Sequence, residues 1–282
     1  MFKKNHNNKK VFNVFIRINS WGRKLFDKLN LLFMEKNMCN LNDISTNKSI
    51  NEQIKELFDN DINLKERNDF AYDGIINEEI YSNQDLKVAF LLKEVNGSNS
   101  KDKWSLAEWL ASLQNDNENK TWKKTWLNVC YWCEILKDLN VNFSDIYAKE
   151  EEITKILHNV AVVNIKKTFG SSKSIYEELQ NAVNDYGVLT LKEIEKIIQP
   201  KLVICCGTFE LAQLLFQTVK QKTVQTETLS CGTEYFIEDG IYYLKFVHPA
   251  WYVVNNNILF AYAKVTFAEI LSKIKNTICI DK

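Results

Sequence analysis

Four short apolar runs in the sequence each end in polar residues of the kinds that do chemistry. Leu86 to Leu92 leads into Lys93-Glu94-Val95-Asn96-Gly97, and Asn159 to Ile165 carries Asn164 at its end, with Lys166-Lys167 and Gly170-Ser171-Ser172 beyond. Lys201 to Cys206 leads into Gly207-Thr208, and Tyr242 to Val247 into His248-Pro249-Ala250-Trp251. A carboxylate such as Glu94 can orient a water, an amide such as Asn164 can donate and accept at once, and an imidazole such as His248 can serve as a fixed donor to a developing anion. Backbone amides and hydroxyls of turns containing Gly, Ser and Thr bind phosphate. Each residue also has a plainer reading. His248 can be a hydrogen-bonded histidine buried at a strand end, Asn164 a turn residue, and Glu94 a helix cap or the partner of Lys93 in a local ion pair.

The four runs are short, apolar and bounded by polar residues or turn signals, which is the signature of strands buried on both faces. Helical patterns lie between them, at roughly 104–114, 121–138, 149–158, 173–183, 190–198 and 207–219, with a last one near 257–274. Strands separated by helices imply right-handed crossovers and a mostly parallel sheet with helices on both faces. Ligands in such a fold sit at the carboxyl ends of the strands, where the residues singled out above fall. The first 80 residues are rich in Asn and Lys and hold two short helical patterns, Trp21 to Phe33 and Ile50 to Phe58, so they read as an extension.

The 282 residues carry 36 basic and 36 acidic side chains, and zero net charge leaves no global argument for a polyanion partner. Residues 1–30 do carry eight Lys and Arg against Asp27 alone, which suits either a polyanion contact or a solvated end. No apolar run reaches the roughly 18 residues that a membrane span requires, and Asn13 and Arg17 interrupt the only leader-like stretch, so the chain reads as soluble and cytoplasmic. Seven scattered cysteines fit reduced thiols. Cys130 and Cys133 lie in a Trp- and Leu-rich helical pattern with no second pair at ligand spacing, so they read as core residues and not as a metal site. Lys120-Thr-Trp-Lys-Lys-Thr-Trp126 interleaves bases with aromatics, which a helix explains by turning its Trp residues inward.

Taken in chain order, the four loops resemble the four loop motifs of the uracil-DNA glycosylase superfamily, from Lys93 to Tyr252. Lys93-Glu94-Val95-Asn96-Gly97 is similar to the family's first motif, of the type G-Q-D-P or G-E-A-P-G, with Glu94 on its Gln/Glu position and Val95 on its Asp/Ala/Asn position. Asn164 in Val162-Val163-Asn164 looks like the family's base-reading Asn. Ile204-Cys205-Cys206-Gly207-Thr208 is similar to its phosphate-pinching Gly-Ser loop, and His248-Pro249-Ala250-Trp251-Tyr252 to its H-P-S-type loop.

The resemblance implies a three-layer α/β/α domain with a central, mostly parallel sheet over residues 81–282, preceded by an N-terminal helical extension over 1–80. It implies a DNA glycosylase that hydrolyses the N-glycosidic bond of a damaged or modified base. DNA, single-stranded or modified, is the implied partner, with no cofactor, metal or membrane. Glu94 then positions water and His248 steadies the departing base. Val95, Asn96, Trp104 and Asn164 meet the base, Trp104 by stacking and Asn164 at its hydrogen-bonding edge. Gly97, Lys166, Lys167, Ser171, Ser172, Gly207, Thr208 and Trp251 meet the DNA backbone. Val95 stands where the best-known members have a water-activating Asp and Asn96 where Pro is usual. Those departures make a weak or inactive nucleic-acid- or nucleotide-binding module of the same fold the alternative.

Overall fold

The computed structural model describes residues 48–62, 64–96, 103–113, 123–147, 153–170, 173–250 and 256–280. One compact unit begins at Ser49. In chain order its elements are α1 (Ile50–Asp59), β1 (Ala71–Tyr72), β2 (Gly74–Ile75), α2 (Glu78–Ser82), β3 (Val88–Asn96), β4 (Trp104–Ser105), α3 (Leu106–Ser112), α4 (Lys123–Lys137) and α5 (Phe143–Tyr147). A 3₁₀ turn (Ile153–Asn159) leads into β5 (Val160–Gly170), followed by α6 (Tyr176–Lys192), a π-helical turn (Glu193–Ile198), β6 (Leu202–Cys206) and α7 (Phe209–Lys220). The strands β7 (Thr226–Thr228), β8 (Glu234–Glu238) and β9 (Ile241–Phe246) precede the last helix, α8 (Asn256–Ile280).

Seven strands form one sheet in the order β2-β5-β3-β6-β9-β8-β7. The inner four are parallel, with Phe90 opposite both Val162 and Ile204, and Ile204 opposite Leu244. Short antiparallel strands finish both edges, β2 against β5 and the β8–β7 pair against β9. Alternation divides the strand side chains between two cores. Phe90, Val162, Ile204 and Leu244 pack against Val129 and Trp132 of α4 and Phe267 of α8. Leu91, Val163 and Val203 pack on the other face against Phe58 of α1, Val183 of α6 and Leu215 of α7. Helices therefore cover both faces of a mostly parallel sheet.

The compact unit starts more than 30 residues before the expected boundary at 81. Ile54, Phe58, Phe70, Tyr72, Ile75 and Tyr81 are all buried, and β2 is part of the main sheet. Local hydrogen bonding locks this segment down. Ser49 and Glu52 form a reciprocal cap at the start of α1, while the Glu78 carboxylate accepts from the Ile50 and Asn51 N–H groups at 2.8 and 2.7 Å. The Asn51 side chain both donates to the Ile75 carbonyl and accepts from its N–H, and a Cβ on Gly74 (φ +138°) would lie 2.2 Å from Asn51 Oδ1. The helix expected over Ile50 to Phe58 is present. That over Trp21 to Phe33 lies outside the described residues, as do the basic residues 1–30.

Two further differences matter for the site. The patterns at 173–183 and 190–198 form one continuous helical run through α6 and the π turn, kinked at Tyr186 (φ −141°). Strands β3 and β5 also run past their expected ends, to Asn96 and Gly170, whereas β3–β6 pairing stops at Leu91 opposite Cys205. A two-stranded ribbon thus projects beyond the carboxyl edge of the sheet, carrying Lys93, Glu94, Asn164, Lys166 and Lys167.

Candidate functional site

Gly207 follows β6 with φ +67°, a conformation that favours glycine, and its N–H donates to the carbonyls of Cys205 and Phe246. A Cβ placed there would lie 3.5 Å from Lys93 Cε and 3.7 Å from His248 Cβ, so the ends of three strands meet at this residue. His248 Nδ1 accepts from the Ala250 N–H at 3.1 Å. Burial, reinforced by the nearby Lys93 cation, lowers its pKa to about 4. The imidazole is therefore neutral at pH 7, with its proton on Nε2. Asn128, buried on α4, donates from Nδ2 to the Pro249 carbonyl at 2.6 Å and so holds the residue next to the histidine.

A second cluster lies along the ribbon, joined to the first through the adjacent residues Lys93 and Glu94. Glu94 neither caps a helix nor pairs with Lys93. Its Oε2 accepts from Lys166 Nζ at 2.7 Å, while its Oε1 is buried without a hydrogen-bond donor. Burial works against the Lys166 charge, but hydrogen bonds to Glu178 and Glu94 outweigh it and raise its pKa. Gly170 closes over this carboxyl group, since a Cβ there would fall 2.0 Å from Glu94 Cδ and 2.2 Å from Oε2. Gly170→Ala is therefore expected to displace Glu94 and weaken folding by about 1–3 kcal/mol, the usual cost of overpacking. Chemical denaturation measures it, and an unchanged midpoint would mean that the carboxyl group is not seated on the glycine.

Asn164 lies within β5 and not at its end, and it is 1% exposed. Its Nδ2 donates to Asp73 Oδ1 at 2.7 Å, and its backbone N–H donates to the other oxygen of the same carboxylate. The structure overturns the backbone-contact role for both lysines of this strand. Lys167 is 0% exposed and bound to Asp73 and Glu193, and Lys166 is buried between Glu94 and Glu178. An ammonium sealed between carboxylates has no charge left for phosphate. Thr208 is corrected on similar grounds. It is fully buried, and its hydroxyl donates to the Leu91 carbonyl at 2.7 Å, where β3–β6 pairing ends. Glu210 sits in the first turn of α7 and pairs with Lys245 at 2.9 Å, placing negative charge beside the expected phosphate site.

Val95 is half-buried against the core, and Asn96 is exposed opposite Gly170. Trp104 is half-buried, with one ring face stacked on Phe169 (centroids 6.1 Å apart, 16° between planes) and an edge contact to Trp109. Gly97, Ser171, Ser172 and Trp251 lie outside the described residues. Cys130 and Cys133 are buried in the core, and burial raises both thiol pKa values. Among the described residues no group of three or more His, Cys, Asp or Glu side chains could hold a metal ion, and no helix is long and apolar enough to cross a membrane.

Sequence reasoning passed over Asp73, Asn128 and Glu193. A signal existed for Asp73, a lone acid inside the apolar run Phe70 to Ile76, and for Asn128, a polar residue beside Trp126 and Val129. Nothing in spacing distinguishes Glu193 from Glu195. No protein-family model matches the chain, and no curated protein matches it either.

Proposed function

We infer that the chain is a DNA glycosylase-like protein with a uracil-DNA glycosylase-like fold, hydrolysing the N-glycosidic bond of a damaged or modified base. The observation that carries this reading is a neutral His248 whose Nδ1 accepts from the Ala250 N–H, leaving its proton on Nε2, and which packs with Lys93 around Gly207 at the carboxyl edge of a parallel sheet. As the C1′–N bond breaks, its electron pair passes to the base. A fixed donor and a nearby cation at the oxygen that gains this charge are worth several kcal/mol, about 3 for one donor in a dry site. Glu94 Oε1, buried and without a donor, suits a water held for attack on C1′, whose proton leaves through the carboxylate. In this reading Trp104, half-buried, stacks on the base, whereas Asn164, turned into the Asp73 carboxylate and 1% exposed, is not open to it. DNA, single-stranded or modified, is the proposed partner.

One observation favours the alternative of a binding module with little or no hydrolysis. Lys166 donates to one oxygen of Glu94, so that oxygen is already engaged and not open to a water. Base release separates the two readings. The full chain is incubated with oligonucleotides carrying uracil, hypoxanthine, xanthine or a hypermodified pyrimidine, and free base is measured by mass spectrometry. Release from at least one substrate is expected. Salt-dependent binding without release supports the module, and neither binding nor release overturns both readings.

A further inference from the structure

Four lysines lie on the parallel strands, and carboxylates hold three of them. Lys166 pairs with Glu94 and Glu178, Lys167 with Asp73 and Glu193, and Lys245 with Glu210 and Glu234. Lys93 differs. Among the described residues it has neither an ion-pair nor a hydrogen-bond partner, and it is only partly buried. Pairing of β3 with β6 stops at Leu91, so Lys93 lies beyond the last paired residue, and its side chain reaches the Gly207 turn. There it stands close enough to His248 for its charge to bear on the imidazole.

An amine in that place has two uses. As an ammonium it steadies negative charge, the role given to it above. As the unprotonated amine it is a nucleophile toward carbonyl groups, with which it forms a Schiff base. The paired lysines are barred from the second use. Burial opposes the charge on Lys166 and Lys167, yet their carboxylate partners prevail and keep the proton on nitrogen. A carbonyl arises from the reaction itself, because hydrolysis of an N-glycosidic bond in DNA leaves a hemiacetal at C1′ that opens to an aldehyde.

We propose that Lys93 is a nucleophile toward abasic DNA, adding to the C1′ aldehyde and so cutting the strand on the 3′ side of the abasic sugar. This deepens the function proposed above and rests on that reading's placing of DNA at this edge of the sheet. The nitrogen lone pair forms the N–C1′ bond, and the aldehyde oxygen leaves as water to give an iminium ion. The iminium acidifies C2′, whose proton passes to water. The electron pair of that C–H bond becomes the C2′=C3′ double bond, and the C3′–O bond breaks with its pair on the departing phosphate. Water then hydrolyses the imine, which restores the amine and frees an unsaturated aldehyde at the 3′ end. Every atom and electron comes from the DNA, the lysine and water.

The test uses a single-stranded oligonucleotide with one preformed abasic site, so that no base release is needed. The full chain is incubated with it in the presence and absence of sodium cyanoborohydride, which reduces a Schiff base to a stable amine. Tandem mass spectrometry then locates the DNA remnant in the wild-type chain without recourse to any variant. An adduct on Lys93 is expected, with strand cleavage where the reductant is left out. Lys93→Arg keeps the positive charge and loses the nucleophile, so the adduct should fall about tenfold or more, each protein being compared at saturating oligonucleotide.

An adduct carried by another lysine or by the N-terminal amine overturns the proposal, as does saturated binding with no adduct or a failure to bind abasic DNA at all. An adduct undiminished in Lys93→Arg overturns it equally. Because the probe is already abasic, the two readings fail separately. A chain that releases a base but forms no Lys93 adduct loses only this proposal, whereas a Lys93 adduct without base release refutes the glycosylase and leaves the nucleophile standing.

Discussion

Lys167→Met is expected to lower the unfolding free energy by about 3–5 kcal/mol, the cost of removing one partner from a buried ion cluster. Methionine fills a similar volume and keeps the contact with Phe58, but leaves the Asp73 and Glu193 carboxyl groups without the ammonium between them. Calorimetry should record a drop in melting temperature on the order of 10 °C for a unit of this size. A loss below about 1 kcal/mol would mean that the carboxyl groups are relaxed or hydrated despite their burial. Glu193 adds a pH dependence. Burial, with Asp73 adding to it, raises its pKa well above the ordinary carboxylate range against the opposing pull of Lys167. The folded chain therefore keeps a proton that the unfolded chain has already released, so this contribution to stability diminishes as pH rises from the ordinary carboxylate range through the raised value.

The second large effect belongs to His248. Replacing it by alanine should reduce base release by about 10²–10³-fold, as loss of a preorganised donor to a developing oxyanion does elsewhere. The pH profile provides a stricter test. Because burial and then Lys93 hold the imidazole pKa near 4, the neutral donor persists well below the ordinary histidine range, and the acid limb due to His248 should lie near pH 4 rather than 6.5. Lys93→Met should move this limb upward. The stability linkage has the opposite sign to that of Glu193. A depressed folded pKa favours the native state fully above about 6.5, and this contribution is lost as pH falls through about 4. A profile that declines at pH 6.5 and disappears in His248→Ala would sink the neutral-donor role.

The parallel core was legible because strands buried on both faces must be continuous apolar runs, as Val88 to Leu92 and Leu202 to Cys206 are. The limits of β5 were not. Lys166-Lys167-Thr168 reads as a solvated loop, and it continues the strand only because Glu94, Glu178, Asp73 and Glu193, distant in sequence, supply the compensating charge. The same blindness turned two ion-paired lysines into phosphate ligands. Within α6, Asn184-Asp185-Tyr186-Gly187 carries a break signal that the structure meets with a kink at Tyr186 and not with a loop, and Gly187 lets the helix approach α7 so closely that a Cβ would lie 2.9 Å from Leu215 Cδ2. Strand β7, Thr-Glu-Thr at an edge, has no apolar alternation to betray it. Of the site, the convergence of Lys93, Gly207 and His248 follows from their places on and after neighbouring parallel strands, whereas the Asp73–Asn164 contact depends on a turn in a segment whose sequence reads as an extension.

The short antiparallel pieces at the sheet margins bear on how the chain avoids sticking to itself. Gly74–Ile75 is only two residues long, yet it occupies the outer backbone groups of β5 along Ala161 and Val162. A fragment begun near residue 81 would uncover Val160-Ala-Val-Val163, a β-branched stretch with vacant N–H and C=O groups along one side. Such a fragment would meet its like edge to edge and sediment as a growing aggregate, so the segment before the first long strand acts as a guard against intermolecular pairing as well as a part of the core.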